Sequence, residues 1–359
     1  MTTAWTKAHT AEIDAVRCPS VLDVDTQPRP MGGADRYYWD MWAVQNGDGT
    51  IARLGGREMW MALSAPDRGD PDARHFEADI RWIERGANGW EDKGPVLPPH
   101  AAPYEREWAG SALLDDGRLT LFFTGAGIVG KPGGYQQRLF EASAPVASDG
   151  TIGEWILPRP SIDRLTPEYC AADAHEGEAG RIKAFRDPAF FRDPIDGADY
   201  LIFTASLAGS DSDYNGAVGI ARRGDAGWSL LPPLVHADGV NNELERAHIV
   251  FRDGMYYVFW VTQTSTFAPD VPAGPTGLYG MAARSLAGPW TPLNGSGLVL
   301  ANPADDPRRA YSWFVSAEGV VASFVDDPEG QGFVGAPAPL LQLAFDGETV
   351  GLVGEVGAP

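Results

Sequence analysis

Only two cysteines, Cys18 and Cys170, occur in 359 residues. A single pairing would not make a disulfide framework, and neither cysteine belongs to a metal-type spacing. No apolar run is long enough to cross a bilayer as a helix. The opening residues, MTTAWTKAHTAEIDAV, hold no apolar segment of the signal-peptide kind. The expectation is export by a non-classical route, or residence in the cytoplasm. Basic residues are scarce: 28 Lys and Arg against 49 Asp and Glu, a formal net charge of −21. That argues against nucleic acid and membrane as partners, because both are held by basic patches. A neutral ligand such as a sugar is compatible with an acidic surface. Helical periodicity is nearly absent, with Thr10–Val16 the one candidate for a turn or two.

What is abundant is turn chemistry and short apolar runs. The chain has 43 Gly, 29 Pro and 12 Trp. Tryptophan is ordinarily core, but exposed Trp and Tyr also stack on sugar faces. Glu58–Ser64, Arg118–Thr124, Asp199–Ser206, Met255–Val261 and Gly319–Val325 are rich in β-branched or aromatic residues and read as strands. Most follow a turn signal: Asp115-Asp116-Gly117, Asp196-Gly197, Asp253-Gly254 or Glu318-Gly319. The chain reads as all-β.

A long internal repeat orders these strands. Each unit opens on a polar or aromatic residue, then runs through an apolar strand and a Gly/Ala-containing strand to a Trp or Pro segment. The units open at Asp40, Trp108, Asp187, Glu245 and Tyr311, spaced 68, 79, 58 and 66 residues apart. The first four reach Trp90, Trp155, Trp228 and Trp290, and a shorter fifth closes with Leu340–Phe345. Such spacing fits four-stranded blades with long loops. Five units predict a five-bladed β-propeller over 1–359 with residues 1–30 wrapping it, and a β-sandwich is the second choice. In a propeller the opening residues would share one central funnel.

Three of those residues are carboxylates. Asp40 lies in Tyr37–Trp42 among aromatics, where burial is costly without hydrogen bonds. Its plain alternative is a turn aspartate, but no Gly or Pro adjoins it. Asp187 lies in Arg186-Asp187-Pro188 at the head of an apolar run, and the plain alternative is a capping ion pair. The second copy, Arg192-Asp193-Pro194, runs into a turn and reads as structural. Glu243 and Glu245, if on a strand, share one face. Like charges so close raise one pKa unless water or a cation intervenes, and a raised carboxyl is what a general acid needs. The alternative is a charge-guarded sheet edge. Two carboxyls flanking a glycosidic bond can hydrolyse or transfer a sugar with retention. A third can hold sugar hydroxyls and steady the transition state.

These segments resemble the levansucrases, glycoside hydrolase family 68, most closely those of Gram-negative bacteria. The motifs are Tyr38-Trp39-Asp40-Met41-Trp42, Glu107-Trp108-Ala109-Gly110-Ser111, Phe185-Arg186-Asp187-Pro188 and Glu243-Leu244-Glu245-Arg246-Ala247-His248. Thr266-Phe267-Ala268, Gly277-Leu278-Tyr279-Gly280, the run from Pro292 to Leu300, Tyr311-Ser312 and Trp5-Thr6 also match, in order, over nearly the whole chain. The resemblance implies a five-bladed propeller acting on sucrose and fructan acceptors without a cofactor. It implies Asp40 as nucleophile, Asp187 as transition-state stabiliser and Glu245 as general acid/base. Trp39, Trp108, Arg186, Glu243, Arg246 and Tyr311 would line the fructosyl and glucosyl subsites. Gln263 stands where related enzymes usually carry His or Arg, a position tied to acceptor handling. Asn242 stands where calcium-binding relatives have Asp, so no structural metal is expected. The chain is short for the family, and trimmed rim loops would favour water or small acceptors. The competing readings are a mainly hydrolytic β-fructofuranosidase, an inulin-type fructosyltransferase and a non-catalytic sugar-binding propeller.

Overall fold

The computed structural model describes residues 2–14, 18, 31, 35–87, 89–131, 133–162, 164–173 and 181–356. They form an all-β structure of five antiparallel meanders. The first comprises Arg36–Gln45, Arg57–Pro66, Asp79–Gly86 and Gly89–Pro95. The second comprises Arg106–Asp115, Arg118–Ala126, Gln137–Pro145 and Ile156–Pro160. The third comprises Phe185–Arg192, Asp199–Ser206, Gly216–Gly224 and Gly227–His236. The fourth runs Glu245–Arg252, Met255–Thr262 and Gly277–Ala283, with Thr291–Pro292 and Leu298–Ala301 both paired to the last. The fifth runs Ala310–Val315, Val320–Val325, Leu341–Asp346 and Thr349–Glu355. No sheet closes on itself among the described residues. The first two meanders merge into one nine-stranded sheet through a short parallel contact, Val44 with Ala112 and Gln45 with Leu113.

The expected strands are present, with small differences at their ends. The turn signals act as their chemistry requires. Asp116-Gly117 and Asp253-Gly254 both hold positive φ at the two central positions, the conformation whose twist suits a tight hairpin. The fifth meander is longer than Leu340–Phe345, because Asp346–Glu348 turns the chain back into Thr349–Glu355. The helix is Lys7–Ala11, starting upstream of the expected Thr10–Val16, of which residues 15–16 lie outside the described residues. Thr6 and His9 cap it reciprocally, and that box lies upstream of the apolar pattern.

The opening strands of the five meanders are packed neighbours in a cycle: first on second, second on third, third on fourth, fourth on fifth, fifth on first. Each carries a register break at the same depth. The breaks fall between Trp39 and Trp42, Trp108 and Gly110, Arg186 and Ala189, Glu245 and His248, and Tyr311 and Phe314. Asp40, Asp187, Arg246 and Ser312 sit in these bulges with φ of 47°, 57°, 52° and 60°. A bulge releases ladder groups and re-aims side chains. In the second meander Gly110 is needed outright: a Cβ there would lie 1.8 Å from the Phe122 carbonyl oxygen.

Amides at these breaks are satisfied by the preceding meander, not by their own sheet. Asp187 N–H donates to Thr124 Oγ1 (2.8 Å) and Phe190 N–H to Ser111 Oγ (2.8 Å). Arg246 N–H donates to Thr204 Oγ1 (2.8 Å) and Val315 N–H to His248 Nε2 (2.9 Å). Because Nε2 accepts, the proton of His248 is on Nδ1, which donates to the Arg246 carbonyl (2.8 Å). Burial holds this imidazole well below its usual pKa, at about 4. It works as a neutral brace.

The N-terminal segment joins the third and fourth meanders. Thr3–Ala4 pairs in parallel with Gly227–His236. Trp5 is fully buried edge-on to Trp260 and Phe267 and beside Tyr279, and its Nε1–H donates to the Ser296 carbonyl (2.9 Å). Cys18 and Cys170 are not joined to each other: the Cys18 thiol donates to the Val299 carbonyl (3.5 Å) and the Cys170 thiol to the Leu207 carbonyl (3.4 Å).

Candidate active site

The bulged residues surround a cavity of about 640 Å³ at one end of this cycle. Asp40, Asp187, Glu245, Trp39, Trp108, Arg186, Glu243, Arg246, Gln263 and Tyr311 all line it. Ten residues from five meanders, separated by up to 272 positions, therefore meet in one space. Asp193 does not join them. It accepts from Tyr256 Oη (2.8 Å) and the Ile195 N–H (2.9 Å), as a structural turn residue does.

Arg186 is the hub. Its Nη2 donates to Glu243 Oε1 (2.6 Å) and Glu245 Oε1 (2.8 Å), and its Nε lies 3.4 Å from Asp187 Oδ2. Its Nη1 is buried and has no partner among the described residues. One guanidinium thus resolves the repulsion between two adjacent glutamates. Glu245 opens its strand, but Glu243 lies in the irregular segment before it, not on one strand face with Glu245 as expected. Asn241 Oδ1 and Thr262 hold that segment: Asn241 accepts the Glu243 N–H (2.9 Å) and Thr262 Oγ1 donates to the Glu243 carbonyl (2.5 Å). Glu243 is pushed up by burial, against the pull of Arg186 and with the push of Glu245.

Tyr311 Oη donates to Glu245 Oε2 in a very short contact, and accepts from Gln263 Nε2 (3.2 Å). Burial, then the Glu245 charge, holds Tyr311 far above its usual pKa, so it remains a donor. Arg246 grips the backbone of the first meander, donating to the carbonyls of Asp40 (3.0 Å) and Met41 (3.2 Å), with its guanidinium 5.4 Å from the Trp42 ring centroid. Burial raises Asp40, and Arg246 pulls it back. The Ser312 hydroxyl also favours the charged form of Asp40, although it meets no partner at full hydrogen-bond geometry among the described residues. Asp187 accepts from Thr204 Oγ1 (3.1 Å), and burial pushes it up to about 6 despite Arg186 and Arg246.

Several lining residues carry no motif of their own. Arg74 and His75 enter on the short 3₁₀ helix Pro71–Phe76, capped by Asp70, which accepts the Asp72 N–H (3.0 Å). Burial depresses His75 to about 3, so it is neutral. Asp326 lines the rim from the fifth meander and is raised to about 6 by burial. Thr124 and Thr204 do leave a signal, which sequence reasoning missed. Each ends an apolar run, LFFT and LIFT, where an inward polar residue needs a partner.

Among the described residues no group of three or more His, Cys, Asp or Glu is arranged to hold a metal. The set includes three carboxyls, Asp40, Asp187 and Glu245, around a space of sugar size, with four arginines and indole faces. That is equipment for acid–base and nucleophilic work at an acetal carbon.

The sequence profile of the levansucrase/invertase family, glycoside hydrolase family 68, matches residues 1–218 and 211–357. The chain belongs to this family. Levansucrase of Erwinia amylovora is 30% identical over 96% of this chain and 93% of its own length. That of Rahnella aquatilis is 29% identical over 96% and 92%. Among solved structures, an inulosucrase from Halalkalicoccus jeotgali bound to kestose superposes with a TM-score of 0.89 at 35% identity, covering 100% of this chain and 97% of that one. A levansucrase from Gluconacetobacter diazotrophicus shares the fold at 22% identity, with a TM-score of 0.86 over 100% and 92%.

Proposed function

We propose that this family 68 protein is a retaining fructosyltransferase that cleaves sucrose and passes the fructosyl group to a growing fructan, to a short acceptor or to water. The five meanders are the blades of one propeller, with the described N-terminal residues 2–14 wrapped against it. The cyclic packing of the opening strands supports that arrangement. The observation that carries the function is the convergence of Asp40, Asp187 and Glu245 on one cavity, with Arg186 and Tyr311 both bound to Glu245.

The chemistry follows from the placement. An Asp40 oxygen attacks the anomeric C2 of the fructosyl unit as the C2–O bond to glucose breaks. Glu245 gives its proton to the departing glucosyl oxygen. The product is a fructosyl ester on Asp40, with glucose released. In the second half Glu245 takes the proton of an acceptor hydroxyl or of water as that oxygen attacks C2, and Asp40 leaves as carboxylate. Asp187 accepts hydrogen bonds from fructosyl hydroxyls and stabilises the oxocarbenium-like transition state. Trp39 and Trp108 flank the fructosyl ring. Arg186, Glu243, Gln263 and Tyr311 face the glucosyl or acceptor side, where the Nη1 of Arg186 is an available donor.

The inulin-type alternative for the linkage has support of its own: the inulosucrase of Halalkalicoccus jeotgali bound to kestose is 35% identical. The test is incubation with concentrated sucrose, following free glucose and fructose together, then resolving product linkage by NMR. Glucose in excess of fructose supports transfer, and the C2-to-C6 or C2-to-C1 linkage chooses levan or inulin. Equal release marks a hydrolase. Release of neither sugar sinks the proposal.

A further inference from the structure

An aromatic array leads from the cavity to the surface between the first and second meanders, and the reaction above does not use its outer part. Trp108 and Tyr135 line the cavity, with ring centroids 6.0 Å apart. Tyr135 in turn stands edge-on to Phe76 at 5.8 Å. Phe76 lies outside the cavity wall and is 42% exposed, at the end of the helix that brings in Arg74 and His75.

This exposed ring is held by construction. The Arg106 guanidinium, 4% exposed, lies 5.1 Å from the Phe76 centroid and 5.2 Å from that of Trp108. It is sandwiched between the two rings and locked from beneath by Glu105 (3.1 Å) and the Gly134 carbonyl. Its Nε is buried without a partner among the described residues. The loop after Gly127, which backs on Arg106, presents two more exposed apolar side chains, Ile128 and Val129. A large exposed apolar surface beside a binding cavity usually marks a contact site. A rigid aromatic face with little rotamer freedom suits the C–H faces of a sugar.

We propose that Tyr135 and Phe76 form an aromatic track that carries the outer fructosyl residues of an acceptor chain away from the cavity, beyond the residues that bind sucrose. This rests on the fructosyltransferase reading above. The occupant is a neutral fructan: Tyr135 lines the cavity, Phe76 continues from it to the surface, and the cation against Phe76, Arg106, is buried.

The test separates the track from the chemistry. In the Asp40→Ala chain, affinity is measured by titration calorimetry for the trisaccharide kestose and for long fructan oligosaccharides. Adding Phe76→Ala is expected to weaken the long oligosaccharides about fivefold and leave kestose unchanged, the scale of one lost ring contact. Phe76→Trp should restore the affinity. In the active chain, Phe76→Ala should shorten the products without changing the rate of glucose release. Unchanged affinity for the long oligosaccharides, or equal losses for both ligands, overturns the track. If the parent chain releases no glucose from sucrose, the proposed function fails, while the calorimetry still decides whether the track binds fructan.

Discussion

Arg186 shows how a single side chain determines what its neighbours can do. It turns a repelling glutamate pair into a network with one shared cation, and in doing so orients Glu245. Asp40→Ala and Glu245→Ala are each expected to lower kcat by a factor of ~10³ or more, the scale for removing a nucleophile or a general acid. Sucrose turnover near the parent rate in either variant would refute the assignment. Asp193→Asn should leave kcat close to normal, because Asp193 serves a turn and Tyr256. Asp187 supplies the pH dependence. Its ionised form is the stronger acceptor for hydroxyls and stabilises a developing positive charge, and burial raises it to about 6. Activity should therefore fall as pH drops through about 6. Thr204→Val removes the hydroxyl that favours the charged form, so the acid limb of kcat/KM should move to higher pH; an unmoved limb would separate Asp187 from it. The stability sign is opposite. The native carboxyl holds its proton to higher pH than the unfolded one at 3.8, so the native state binds more protons between 3.8 and about 6, and stability declines as pH rises through that window.

At the level of the element, the instructive feature is the bulge repeated in every opening strand. Four residues with positive φ in one site is a concentration of backbone cost, of order 1–3 kcal/mol each for a non-glycine residue. Aspartate tolerates this conformation better than most residues, but Arg246 and Ser312 have no such ease. The cost is held by neighbouring meanders, through Thr124, Thr204 and His248. Ser312→Gly tests the trade. Glycine accepts φ of 60° freely, so denaturant unfolding should show a gain of ~1 kcal/mol. The same change removes the hydroxyl that favours ionised Asp40, so kcat should fall. A variant that is both more stable and fully active would show that the bulge is not strained for catalysis.

For the molecule as a whole, the N-terminal segment acts as a clasp between the third and fourth meanders. Trp5 fills a site ringed by Trp260, Phe267 and Tyr279. Trp5→Ala should destabilise by about 3–5 kcal/mol in chemical denaturation, as emptying a large aromatic site does. A loss under ~1 kcal/mol would show that the clasp is peripheral. The acidic surface belongs to this scale too. The formal net charge is −21, yet the cavity itself concentrates Arg74, Arg186, Arg246 and Arg308 among its carboxyls.

The amino-acid sequence by itself determined the all-β class, most strands and hairpins, the five-unit order and ten of the residues that line the cavity. The physical reason is that these signals are local: apolar runs, Asp-Gly turns and motifs a few residues long carry them. Only the tertiary structure decided the rest. It placed Glu243 off the strand and Arg186 between both glutamates. It turned a featureless segment, Asp70–Phe76, into a helix delivering Arg74, His75 and Phe76 to the rim. It also put Asp40 and Asp187 in left-handed bulges, and satisfied the Asp187 amide from the preceding meander. Those features depend on contacts between residues tens to hundreds of positions apart, and on the burial that raises the proton affinity of Asp40 and Asp187. Neither is written in any short stretch of chain.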